Sequence, residues 1–149
     1  MSAALFDSNV WLALTFDQHP FHETARTAFR ECKAKSPAAF CGATEQSFLR
    51  LASTPAVHAI YGSAGLNNHD VIGFLGDFHK LSHVIFAEEP ATTRNFWISL
   101  ADRQTASPKV WMDAYLAAFA ISGKLCLVTF DPDFRQFIGE GLDLHLLKS

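Results

Sequence analysis

Cysteine is scarce in this chain of 149 residues, with only Cys32, Cys41 and Cys126. An odd number with no C-x-x-C spacing excludes a disulfide framework and a zinc knuckle. Cys41 and Cys126 lie in short apolar runs and read as small buried hydrophobes. No run of about 20 apolar residues occurs, so no membrane-spanning helix is expected. The start, MSAALFDSN, has no basic stretch and reaches Asp7 early, unlike a secretory signal. A soluble, cytoplasmic protein is the expectation. Charge is also sparse: 12 Lys and Arg against 15 Asp and Glu give a net charge of -3. That excludes a chain that coats nucleic acid by basic charge alone. There is no G-x-G-x-x-G, phosphate-binding P-loop or H-E-x-x-H motif.

Apolar residues are plentiful, at 49%, and 14 of the residues are Phe. That composition argues against disorder, and the length suits one domain over residues 1–149. Ala3 to Phe6, Ala38 to Gly42, Val84 to Phe86, Leu125 to Phe130 and Leu142 to Leu147 read as short strands. Helical patterns fall at residues 8–14, Phe21 to Cys32, Thr44 to Leu51, Asp70 to Lys80, Thr92 to Asp102, Val110 to Ile121 and Asp131 to Ile138. The helix from Val110 is expected to end with Gly123 in the usual C-terminal position. Ala52 to Asn68 is a connection with room for one helical piece. Strands alternating with helices predict an α/β fold with a mainly parallel sheet. Such sheets place ligands at the carboxyl ends of their strands, near a switch in strand order.

On that scaffold Asp7 ends the first strand, Glu45 follows the second, and Asp131 follows LCLVTF. Each has an ordinary explanation. Asp7 and Asp131 could cap the helices after them, and Glu45 suits the positive end of a helix. Asp113 is different, because VWMDAYLAAFAI is apolar nearly all round and predicts a buried helix. A carboxylate there needs a partner, and Lys109 four residues earlier or a metal would supply one. The four acids together would converge on one crevice. Two carboxylates about 5 Å apart repel by on the order of 3 kcal/mol at an effective dielectric of 20. A divalent cation relieves that repulsion, and an all-oxygen donor set suits Mg2+ or Mn2+ rather than zinc. The chemistry implied is metal-assisted hydrolysis of a phosphodiester.

FDSNVWLAL, TEQSFLRL, WMDAYLAAFAIS and LVTFDPDF resemble the four acidic motifs of PIN-domain nucleases. HPFHETA, FLRLASTPAV and GLDLHLL resemble the VapC toxin branch of that family. The resemblance implies a Rossmann-like three-layer fold with about five parallel strands in the order 3-2-1-4-5. It also implies a metal-dependent endoribonuclease, the toxin of a toxin–antitoxin pair, which is inhibited by a small antitoxin and usually dimerises. Asp7, Glu45, Asp113 and Asp131 would be the metal-binding acids, with Glu45 holding or helping to deprotonate a water. Asp133 matches a frequent extra acid. Asn9 and Thr129 match small polar positions that orient a carboxylate. Two other readings stand beside this one: a PIN nuclease of RNA maturation or DNA processing without an antitoxin, and a non-catalytic cation-binding module.

Other signals carry less. His79 and His83 are four apart but lack a third ligand and read as surface histidines. His19 and His22 flank a loop. Asp7-Ser8-Asn9 lacks the second acid of a D-x-D phosphatase pair. Trp11, Trp97 and Trp111 suit a core or an interface better than base stacking. Arg50, Arg94, Arg103 and Lys109 are candidates for phosphate contacts as well as for an ordinary solvated surface.

Overall fold

A computed structural model describes residues 3–63 and 65–149. Met1 and Ser2, at the head of the N-terminal reading, and Ala64, within the 52–68 connection, lie outside the described residues.

Five strands, β1 (Ala4–Phe6), β2 (Ala38–Phe40), β3 (Val84–Phe86), β4 (Cys126–Thr129) and β5 (Asp143–Leu146), form one sheet. Their order is β3-β2-β1-β4-β5, and every pairing is parallel. Leu5 lies opposite Leu127, and Phe6 opposite Val128. Among the described residues seven α-helices connect and flank the strands: α1 (Ser8–Thr15), α2 (His22–Arg30), α3 (Gly42–Ala52), α4 (Pro55–Ile60), α5 (Asn68–His79), α6 (Thr93–Ala101) and α7 (Val110–Gly123). The segment expected as a last helix is a 3-10 helix, Pro132–Glu140.

The central strands β1, β2 and β4 are apolar because both faces of the sheet are covered there, whereas the edge strands β3 and β5 are partly exposed. Alternate side chains divide between two cores. Phe6, Ala38, Phe40 and Val128 pack with α1, α2, α3 and α5. Leu5, Ala39 and Leu127 pack with α6, α7 and the 3-10 helix. Trp11 centres the first core. It is fully buried, stacks on Phe40 with ring centroids 3.8 Å apart, meets Phe29 and Phe78 edge to face, and packs on Phe6 at a tilt.

Helix ends differ from the sequence expectation at one instructive place. Gly123 is the last residue of α7, and Lys124 takes the left-handed conformation (φ 54). Gly123 serves a close approach instead: a Cβ there would lie 3.2 Å from Pro90 and 3.3 Å from Leu125. Asn67 and Asp70 start α5 with a reciprocal capping box, two residues earlier than the apolar pattern indicates. Cys41 is buried as expected, whereas Cys126 is half-buried.

Candidate active site

β1 and β4 are neighbours, yet the chain leaves them in opposite lateral directions, so a crevice opens at their carboxyl ends. Asp7 and Asp131 both sit there. Their capping roles are real: the Asp7 carboxylate accepts the Ser8 N–H at 2.7 Å, and that of Asp131 accepts the Asp133 N–H at 2.9 Å. Capping occupies part of each carboxylate and leaves lone pairs free for the crevice. Ser8, Asn9, Thr44, Ser47, Lys109 and Met112 line the same cavity as Asp7, Asp113, Asp131 and Asp133.

Three acids converge most closely. Single carboxylate oxygens of Asp113, Asp131 and Asp133 lie within 4.8 Å of one another. Asp113 arrives from the first turn of α7, and the other two from the end of β4 and the start of the 3-10 helix. Lys109 does not neutralise Asp113. Among the described residues the ion pairs are Arg26–Glu23, His79–Glu45 and Lys80–Asp77. Burial, then repulsion from Asp131, Asp7 and Asp133, pushes the Asp113 carboxyl up to about 6. Burial also raises Asp7; its hydrogen bonds from Thr129 and Ser8 counteract this, and the charge of Asp131 adds to it. Asp7 therefore senses the cluster without belonging to the closest trio.

Thr129 and Asn9 hold this arrangement. The fully buried Thr129 hydroxyl donates to Asp7 Oδ2 at 2.7 Å. It accepts from the Asn9 amide at 3.3 Å and from the Asp131 N–H at 3.0 Å. Asn9 Oδ1 accepts the Phe130 N–H at 3.3 Å. One hydroxyl thus links the two strand-end acids, and its bonding capacity is filled.

Glu45 is placed differently. It lies in the first turn of α3, outside the lining of the acidic cavity, and pairs with His79 Nε2 at 2.7 Å. His79 is therefore a half-buried partner from the end of α5 and not the expected surface histidine; its ring also packs on Phe40. Nothing in the local sequence pairs these two residues, which are 34 positions apart. His83 is half-buried against Phe29. His22 bonds the Ala13 carbonyl at 2.7 Å, and His19 accepts the Phe21 N–H, both in loop-stabilising roles. Of the tryptophans, Trp11 is core and Trp97 half-buried, while Trp111 is 51% exposed.

The donor set fits a hard divalent cation. The trio is all carboxylate, with no His or Cys among its members and no cation paired to it. Oxygen-only sites of this kind suit Mg2+ or Mn2+.

Known proteins resemble this chain along nearly its whole length. The PIN domain family model matches residues 4–139. Ribonuclease VapC41 of Mycobacterium tuberculosis is 40% identical over 144 residues, covering 96% of this chain and 97% of the relative. Ribonuclease VapC31 of the same species is 29% identical over 134 residues, covering 89% and 92%. The fold is similar to VapBC2 from Rickettsia felis bound to a promoter DNA fragment, with a TM-score of 0.63 and 15% identity over 99% of this chain and 100% of that one. It is also similar to VapC20 of M. tuberculosis, described as a sarcin-ricin loop cleaving toxin, with a TM-score of 0.62 and 14% identity over 94% and 96%. At such identities the structural likeness speaks for the fold. With the family model spanning 4–139 and a relative 40% identical along almost its full length, the chain belongs to the PIN-domain family.

Proposed function

We propose that the protein is a Mg2+-dependent endoribonuclease, with residues 1–149 acting as one PIN domain and as the toxin of a VapBC-like pair. The observation that carries this reading is the convergence of Asp113, Asp131 and Asp133 within 4.8 Å beside Asp7. The relatives named as VapC ribonucleases support RNA as substrate. The solved VapBC assembly supports a small antitoxin partner.

Asp7, Asp113 and Asp131 would hold one or two Mg2+, with Asp133 as an additional ligand; Mn2+ fits the same oxygen set. A bound divalent ion lowers the pKa of water and stabilises charge on the leaving oxygen. The chain's own groups do the rest. Thr129 and Asn9 fix the Asp7 carboxylate, so little reorganisation accompanies binding. Glu45, held by His79 outside the acidic cavity, would act on the attacking water only through an intervening water. The water oxygen then bonds to phosphorus and the leaving ribose oxygen departs. Exposed apolar residues such as Ile60 and Ile72 supply surface for a homodimer. Among the described residues no helix is long and apolar enough to cross a membrane; the cytoplasm is the proposed place of action.

The test is cleavage of RNA by the purified protein with Mg2+. Chelation and Asp7→Asn should each reduce cleavage to background while the folded circular dichroism spectrum persists. Full activity in Asp7→Asn would overturn the assignment. Co-purification with the product of a neighbouring small reading frame tests the antitoxin.

A further inference from the structure

The acidic crevice has a neighbour. A second cavity of about 380 Å3 shares Lys109, Asp113 and Asp133 with it and is completed by Arg103, Ser107 and Gln136. Its lining pairs two basic residues, Arg103 and Lys109, with the two acids it shares with the crevice. Arg103 and Lys109 have no carboxylate within 4.0 Å among the described residues. Arg103 also borders a third cavity that contains Asp102 and Glu140, yet pairs with neither. It donates instead to Gln136 Oε1 at 2.7 Å. A neutral amide orients the guanidinium without cancelling its charge, and its remaining N–H groups stay free to donate.

An acidic crevice repels every phosphate of an RNA except the one held at the metal. A strand threading it needs basic groups beside the acids to hold the flanking backbone. Of the four basic residues picked out in the sequence, only Lys109 and Arg103 reach these cavities; Arg50 and Arg94 line neither.

We propose that Arg103 and Lys109, with the Ser107 hydroxyl, form a subsite for the RNA backbone phosphate next to the one that is cut. This rests on the ribonuclease reading above. Lys109 borders both cavities and so marks the path from the cleaved phosphate to its neighbour, while Arg103 lines the second cavity and not the first.

The experiment compares intact wild type, Arg103→Gln and Lys109→Gln on a short single-stranded RNA with Mg2+, across a range of KCl. Lys35→Gln, in the turn before β2 and so at the amino ends of the strands, opposite the crevice, is the control. Each subsite variant should raise KM by roughly tenfold and reduce the slope of log KM against log salt by about 0.7, the value for one lost single-strand phosphate contact. The Mg2+ concentration for half-maximal rate should stay at the wild-type value. KM and salt slope matching Lys35→Gln would overturn the subsite. So would a change confined to Mg2+ half-saturation, or weakened binding of a co-expressed partner protein with RNA KM unaltered. If wild type itself does not cleave RNA with Mg2+, the functional reading falls and the subsite falls with it. If wild type cleaves and the variants match it, only the subsite falls.

Discussion

Thr129 is the residue on which two catalytic candidates depend. Its hydroxyl is buried, donates to Asp7 and accepts from the Asp131 N–H. Thr129→Val keeps the shape and removes the hydroxyl, leaving buried polar groups unpaired at a cost of about 1–3 kcal/mol. The urea midpoint should fall accordingly and RNA cleavage should drop with it, while Thr129→Ser should recover most of both. A Val variant with wild-type stability and activity would show that the hydroxyl positions nothing. Asp113 makes a pH prediction. Its carboxyl titrates near 6 in the folded metal-free protein, above its ordinary value of 3.8. The folded state therefore binds the proton more tightly than the unfolded chain does. This contribution to stability is fully present below about pH 4 and is lost as the pH rises through 6. Asp7 is raised too and acts in the same sense. Chemical denaturation of the metal-free protein between pH 4 and 7 should show this decline, and Asp113→Asn should flatten it. An Asn variant with an unchanged slope would assign the decline elsewhere.

At the scale of elements, α7 carries the informative detail. Its apolar surround buries Ala114, Leu116, Ala117, Phe119 and Ala120, which lets one turn present Asp113 to the crevice. Its end shows two residues in unexpected roles. Lys124 holds a left-handed conformation that strains a side-chain-bearing residue by about 1–2 kcal/mol. Lys124→Gly removes that strain, and greater freedom in the unfolded chain offsets part of the gain. A net stabilisation of about 0.5–1 kcal/mol in thermal unfolding is expected. Gly123→Ala should act oppositely, because the new Cβ meets Pro90 and Leu125 at 3.2–3.3 Å. A sequence pattern placed the C-terminal glycine correctly but not its task, because the approach of Pro90 is a tertiary fact. The 3-10 helix is similar. Pro132 after Asp131 signals a helix start, and the tight geometry that follows brings Asp133 back toward Asp131 and Asp113.

Across the whole molecule, charge is distributed by purpose. Setting aside the four acids of the crevice, Asp7, Asp113, Asp131 and Asp133, leaves 11 of the 15 acids against 12 basic residues. The net negative charge is thus concentrated where a cation would sit. Two Mg2+ would reverse the sign of that end of the sheet and favour phosphate there. A cation that binds the folded state alone stabilises it by about 2.7 kcal/mol at a hundredfold excess over its Kd. For a chain of this length that amounts to a rise in melting temperature of about 5–10 °C at pH 7. Scanning calorimetry with and without Mg2+ should show the rise, and Asp113→Asn should abolish most of it. Equal melting temperatures would argue against a site in this cluster.

The sequence by itself determined what depends on neighbouring residues. Alternating strands and helices and the acids just past strand ends follow from periodicity, and the apolar run of WMDAYLAAFAIS singled out Asp113, which the structure leaves half-buried because Trp111 and Met112 open the first turn of α7 to solvent. The strand order followed from the family resemblance and not from periodicity. The tertiary structure decided which distant groups meet. It joined Asp113 to Asp131 and Asp133 across separate elements and gave Glu45 to His79, 34 positions away. It also separated Lys109 from Asp113 as an ion pair and set it with Arg103 in a second cavity. The physical reason is that a carboxylate's partner is chosen by distance and direction in space, and a linear pattern carries direction only over the few residues of one turn or one strand.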